Sequence, residues 1–219
     1  HQYVEVYAAV PAHGRTVVPL NTRHSEPELV YALNDSGARI LLTDRDPGKL
    51  ADCVEHVIQI PGEFESLLAE SEEGELGVGV VESDLAGLFY TGGTTGASKG
   101  AMLTHRNLIA NTFHWMSLIP HQSSDSMLVL APLFHAAGSN AVLANIWTTG
   151  KQVMLPVFSG AGALDLIEAE ACTGSIGVPT MISAIVEEQM ARPRKTDSMN
   201  WLAHGGSPIA TQLLRRVHE

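Results

Sequence analysis

The sequence predicts an α/β fold of parallel sheets covered by helices. Three observations carry this expectation. Short apolar runs alternate with segments of helical spacing along nearly the whole chain, the order that builds parallel sheets with crossover helices. Some of the runs, such as RILLT at residues 39–43, show no polar alternation, as expected for strands buried on both faces. The 219 residues are 45% hydrophobic and 17% charged, enough apolar material for a sizeable core and one or two domains.

The elements follow in order. Residues 4–10 have helical spacing, and the opening HQYVEVYAAV reads as the middle of an amphipathic helix, so the sequence is expected to begin inside a larger protein. Residues 16–19 form a short β-type run ending at Pro19. Ser25 with Glu28 gives a capping box for a helix that Gly37 ends. Residues 39–43 and 56–60 read as strands and residues 63–70 as a short helix. The acidic, glycine-containing stretch 71–83 reads as a linker, dividing the chain into a first subdomain (1–83) and a second (84–219). In the second, strands are expected at 85–90, 127–131, 152–155, 175–178 and 201–203. Helices are expected at 104–118, 135–149, 164–171, 179–190 and 209–218. Thr104 caps the first of these, and Pro179 stands near the N1 position of the fourth.

Charge and composition exclude several classes. The net charge of −11 argues against a nucleic-acid partner, which requires a basic face. Part of that charge is local: residues 63–82 hold seven acidic and no basic side chains, the mark of a solvated segment. Residues 126–150 carry no charge, but Pro132, His135, Asn140 and Asn145 interrupt them. They read as a buried strand and helix, and no transmembrane span is expected. Cys53 and Cys172 lack metal-ligand spacing, which fits ordinary reduced thiols and a cytoplasmic protein. His105, His114 and His121 have no cysteine or carboxylate cluster around them in sequence, so no metal site is expected.

The stretch that carries chemistry is LFYTGGTTGASKGAMLTHRN, residues 88–107. An apolar run enters a loop of glycine, threonine and serine, and Lys99 follows. Glycines let backbone N–H groups approach an anion, hydroxyls add donors, and a lysine adds a point charge suited to phosphate. The loop is not a Walker A motif: Ser98 stands where glycine is required, and Gly100 where the magnesium-binding hydroxyl is required.

This loop resembles the signature of the acyl-adenylate-forming superfamily, roughly YT-S-GTTG-x-P-KG. That superfamily includes acyl-CoA synthetases, luciferases and the adenylation domains of peptide synthetases. Tyr90, Thr91, Gly93, Thr94, Thr95, Gly96, Lys99 and Gly100 match it, whereas Gly92 replaces a serine and Ser98 a proline. The first departure removes a hydroxyl, and the second is expected to loosen the loop, because proline fixes φ and serine does not. Three further blocks are similar to family motifs in family order: APLFHAAG at 131–138, GVPTM at 177–181 and HGGSP at 204–208. The segment VPLNTR at 18–23 is similar to the early part of acyl-CoA synthetases.

The resemblance implies the N-terminal domain of such an enzyme, two stacked α/β subdomains. The implied parent activates a carboxylic acid with ATP to acyl-AMP and pyrophosphate, then forms a thioester with coenzyme A. PLFHAAG leans towards an apolar, fatty-acid-type acid. The alternatives are an adenylation enzyme that loads a carrier protein and a degenerate nucleotide-binding domain without catalysis. The resemblance assigns catalytic roles to Thr91 and Lys99. It gives phosphate binding to Thr91, Gly92, Gly93, Thr94, Thr95, Gly96, Ser98, Lys99 and Gly100. Gly205, Gly206, Ser207 and Pro208 would border the adenine and acyl-adenylate, and His135, Thr180 and Met181 the acyl pocket. The family's magnesium ligand and its C-terminal lysine belong to later blocks. The chain is therefore expected to need a missing C-terminal domain and to be inactive alone.

Overall fold

A computed structural model of the chain describes residues 1–74, 79–92, 97–119 and 121–218. Its backbone contacts divide into two compact units, His1–Ala110 and Asn111–Glu219.

The first unit begins with helices α1 (Gln2–Ala12) and α2 (Glu26–Ser36). The capping box opens α2: the Ser25 backbone N–H and hydroxyl both donate to Glu28 Oε2, at 2.8 and 2.6 Å. Gly37 closes the helix at φ 64°, a left-handed conformation that glycine adopts without steric cost. Strands β1 (Ile40–Thr43) and β2 (His56–Gln59) form a parallel pair, with a 3-10 turn at Gly48–Cys53 between them and α3 (Gly62–Glu70) after. Among the described residues the sheet holds two strands, so each has an unpaired side. Ile40 is 51% exposed, and of residues 40–43 only Leu41 is buried. RILLT is therefore not covered on both faces, contrary to its apolar reading.

Two further differences concern the centre of this unit. Residues 16–19 form no strand; Val17 alone bridges to Gly87, and Pro19 lacks the N–H to extend a ladder. Strand β3 (Leu85–Thr91) does not run through a loop directly into a helix. It turns back into β4 (Lys99–Thr104), paired antiparallel in the register Thr91↔Lys99. Helix α4 (His105–Leu118) follows.

The contact division also differs from the expected 83/84 boundary. Hydrogen bonds stitch residues on either side of the acidic stretch: Val17 N–H to Ala86 O at 3.0 Å and Leu88 N–H to Val17 O at 2.9 Å. Arg106 pairs with Glu82. The division falls instead within α4.

The second unit is a doubly wound α/β layer. Its elements are β5 (Ser126–Val129), α5 (Ala136–Thr148), β6 (Lys151–Met154), α6 (Gly160–Glu170), β7 (Gly174–Gly177), α7 (Pro179–Ala191), β8 (Trp201–His204) and α8 (Thr211–His218). The four strands are parallel in the order β6-β5-β7-β8. All four residues of β5 are buried, as the central position of that strand requires. Leu128, Leu130, Val153, Ala163, Leu164, Ile167, Cys172 and Ile185 form its core. Burial pushes the Cys172 thiol up from its ordinary pKa, which keeps it a packing group.

Candidate functional site

In the first unit the predicted phosphate residues gather at the neck of the β3–β4 hairpin. Burial anchors its base: Ala86 is fully buried and Phe89 nearly so, with the Tyr7 ring 6.3 Å from Phe89. Towards the turn the chain becomes exposed, and Thr91, Gly92 and Lys99 reach solvent. The Thr91 hydroxyl donates to Lys99 O at 3.4 Å, and the Ser98 hydroxyl donates to Thr91 O at 2.5 Å. Ser98 thus ties the neck by a hydrogen bond, where the sequence reading expected a looser loop. Gly100 serves packing: a Cβ there would lie 2.9 Å from the Leu88 side chain. At Gly92 a Cβ would meet nothing within 4 Å, so the missing hydroxyl is not a steric requirement. Gly93, Thr94, Thr95 and Gly96 lie outside the described residues.

A partner absent from the sequence reading sits at the hairpin's flank. The Tyr90 hydroxyl donates to Asp35 Oδ2, on the last turn of α2, at 2.6 Å. Burial first, and the Asp35 carboxylate second, push the Tyr90 hydroxyl up to about 12, so it remains a neutral donor at physiological pH. The 55-residue separation hides this pair from any local pattern. Strand β4 was not expected; the one trace of it in the sequence is the apolar AML of residues 101–103.

Behind the hairpin, Thr104 caps α4 reciprocally. Its N–H and hydroxyl donate to Asn107 Oδ1 at 3.0 and 2.9 Å, and the Asn107 N–H donates to Thr104 Oγ1 at 3.2 Å.

In the second unit the other predicted residues stand at the carboxyl end of the sheet. The chain leaves β5 for β6 on one side, and leaves β6 for β7 on the other. The strand order therefore reverses between β5 and β7, where open α/β sheets form their ligand crevice. His135 follows β5, Thr180 and Met181 follow β7, and Gly205, Gly206, Ser207 and Pro208 follow β8. His135 is exposed and caps α5, its Nδ1 accepting from the Ala137 N–H at 3.2 Å. That bond assigns the ring proton to Nε2, which leaves Nε2–H as the group it can offer outward. Gly138, three residues on, packs against backbone: a Cβ there would lie 2.4 Å from Pro132 O.

Thr180 is exposed, whereas Met181 is half-buried against the core cluster. Gly206 has φ +81°, and its Cβ position lies 3.5 Å from Val178 Cγ1. Gly205 N–H donates to Gly177 O at 3.4 Å, so the two turns after β7 and β8 are neighbours. Ser207 does not cap the following helix, which starts at Thr211 with Leu213 and Leu214 N–H groups on Ala210 O.

A cavity of about 350 Å³ lies at the opposite, amino end of this sheet, lined by Leu118, Ile119, Gln122, Asp125, Asn200 and Trp201. Asp125 precedes β5 and Asn200 precedes β8, which sets it apart from the carboxyl-end rim. Among the described residues no cluster of three His, Cys, Asp or Glu could hold a metal ion, and no helix is long and apolar enough to cross a membrane.

The family model described as AMP-binding enzyme matches residues 1–219, the whole chain. The chain belongs to the AMP-binding enzyme family. It is 35% identical over 98% of its length to a feruloyl-CoA synthase of an Amycolatopsis species, and covers 44% of that protein. It is 27% identical to a long-chain-fatty-acid–CoA ligase of Thermus thermophilus, with 98% of this chain and 42% of the relative covered. Among solved structures it is similar to ATP-bound MatB of Rhodopseudomonas palustris. There the TM-score is 0.86 at 27% identity, over 97% of this chain and 44% of the other. The chain spans less than half the length of these relatives.

Proposed function

We propose that the protein containing this chain activates a carboxylic acid with ATP and transfers the acyl group to coenzyme A. The observation that carries this reading is the exposed neck of the β3–β4 hairpin. Thr91, Ser98 and Lys99 stand together there, beside a segment whose sequence resembles the family's phosphate signature. A hydroxyl and an ammonium exposed at the ends of paired strands suit a polyphosphate. The relatives named as CoA ligases and synthases support the acid and the thiol acceptor.

In the first step a carboxylate oxygen attacks the α-phosphorus of ATP. The bond from that phosphorus to the bridging oxygen breaks, and pyrophosphate leaves with the electron pair. In the second, the thiolate sulfur of coenzyme A attacks the acyl carbonyl, and AMP leaves. Negative charge moves among phosphate oxygens in the first step, so donors fixed beforehand are the useful contribution. Lys99 and the Thr91 hydroxyl would hold the β- and γ-phosphates. The turn at Gly205, Gly206, Ser207 and Pro208 would lay its own backbone against the adenine and acyl-adenylate, and His135 would present Nε2–H towards the acyl side. Magnesium would arrive with ATP and take its protein ligand from beyond residue 219. The chain alone is proposed to be inactive.

The test is acid-dependent ATP–pyrophosphate exchange by the full-length protein, across short to long fatty acids and hydroxycinnamic and other aryl acids. Exchange with one acid class identifies the substrate. ATP binding without exchange for any acid refutes the reading and leaves a non-catalytic nucleotide-binding protein.

A further inference from the structure

We infer that the Ser98 hydroxyl is a latch that positions Thr91 and Lys99 for the nucleotide; the inference rests on the ATP-binding reading above. Ser98 is the residue before β4, and its hydroxyl donates across the hairpin to the Thr91 carbonyl at 2.5 Å. Thr91 and Lys99 are the last register pair of the ladder among the described residues. The second tie, Thr91 hydroxyl to Lys99 O, is long at 3.4 Å and weak at that separation. Of the two side-chain ties among the described residues here, the Ser98 bond is therefore the stronger restraint where the two proposed phosphate ligands emerge.

Both bonds have Thr91 as a member, and they work together. The Ser98 bond fixes the Thr91 carbonyl, and hence the peptide plane that leads into Gly92. Gly92 has open space at its Cβ position and contributes no packing restraint of its own. Without the latch the arms can splay at Thr91 and Lys99 while the buried base at Ala86 and Phe89 stays in place. The family pattern puts proline at this position. Proline would stiffen the same point through its fixed φ, whereas here a hydrogen bond does so, which makes Ser98 a positioning residue.

The experiment compares Ser98→Ala and Ser98→Thr with wild type in the full-length protein, by two independent readouts. Hydrogen exchange of the peptide spanning residues 97–104, without nucleotide, reports the latch itself. Loss of one net hydrogen bond corresponds to about a fivefold change in an opening equilibrium. Ser98→Ala is expected to exchange about fivefold faster there, and Ser98→Thr like wild type. In ATP–pyrophosphate exchange, Ser98→Ala is expected to raise KM for ATP about fivefold and leave KM for the acid unchanged, with Ser98→Thr restoring the wild-type value.

Unchanged hydrogen exchange in Ser98→Ala overturns the inference. So does faster exchange with an unaltered KM for ATP, or with an equal loss for ATP and acid, since the latch would then position nothing. If wild type shows no acid-dependent exchange while the hydrogen-exchange difference persists, the functional reading has failed. The positioning role then falls with it, and the latch stands as a structural tie.

Discussion

Replacing Gly138 by alanine should unseat the loop that follows β5. The new Cβ would stand 2.4 Å from Pro132 O, 2.8 Å from Pro132 C and 2.9 Å from Ala131 O. All three are backbone atoms, so no side chain can swing away. Ordinary Cβ contacts begin at 3.4 Å, so the loop or the first turn of α5 must move by about 1 Å. Overpacking of this kind costs about 3 kcal/mol at the upper end of the usual range. The better helix propensity of alanine returns up to about 1 kcal/mol. A net loss of about 2 kcal/mol lowers the midpoint of a unit of this size by roughly 10 °C.

Trp115, Trp147 and Trp201 all lie in the second unit with Gly138. Tryptophan fluorescence during thermal or urea unfolding therefore reads that unit directly. Gly205→Ala is the matched control, because it lies in the same unit with nothing within 4 Å of its Cβ position, and it should be neutral. A Gly138→Ala protein within 0.5 kcal/mol of wild type would refute the reasoning, since the close approach to Pro132 would not then be rigid.

Gly92→Ser fits without contact and restores the hydroxyl of the family pattern; KM for ATP in pyrophosphate exchange should fall about fivefold, the equivalent of one net hydrogen bond, and an unchanged or higher KM would count against the phosphate role of the turn. Gly174→Ala would bring a Cβ within 2.0 Å of the Trp201 ring, so the indole should be displaced, with a red-shifted emission maximum. The carboxyls of Glu28, Glu55 and Glu188 are held below the ordinary glutamate range by hydrogen bonds from Ser25, Arg39 and Arg194 respectively. Their folded pKa values lie below the unfolded one, so the stability they contribute is full above about 4.5 and is lost as pH falls through the lowered values; Ser25→Ala should flatten that acid slope in pH-dependent unfolding. The Tyr90 hydroxyl has the opposite sign: its contribution is full below about 10 and is lost as pH rises towards about 12. Tyr90→Phe should remove one late-titrating phenol from the absorbance titration.

The sequence by itself determined the local and the periodic features. The capping box at Ser25 and Glu28, the stop at Gly37, the Pro179 helix start and the order of strands and helices each depend on residues within a few positions of one another. The family membership was legible for the same reason, from short blocks such as residues 88–107 and 131–138. What only the tertiary structure decided is whatever joins distant residues. It made 99–104 a strand folded back on β3, reduced 16–19 to a single bridge at Val17, and drew Asp35 to Tyr90. It left RILLT at an edge and fixed the strand order β6-β5-β7-β8, whose reversal sets His135, Thr180 and Gly205 at one end of a sheet. It also turned Ser98 from an expected weak point into a tie, because a hydroxyl gains a fixed role only when the opposite arm brings a carbonyl to it. Local propensity reads the chain a few residues at a time, whereas pairing and burial are settled by which segments meet.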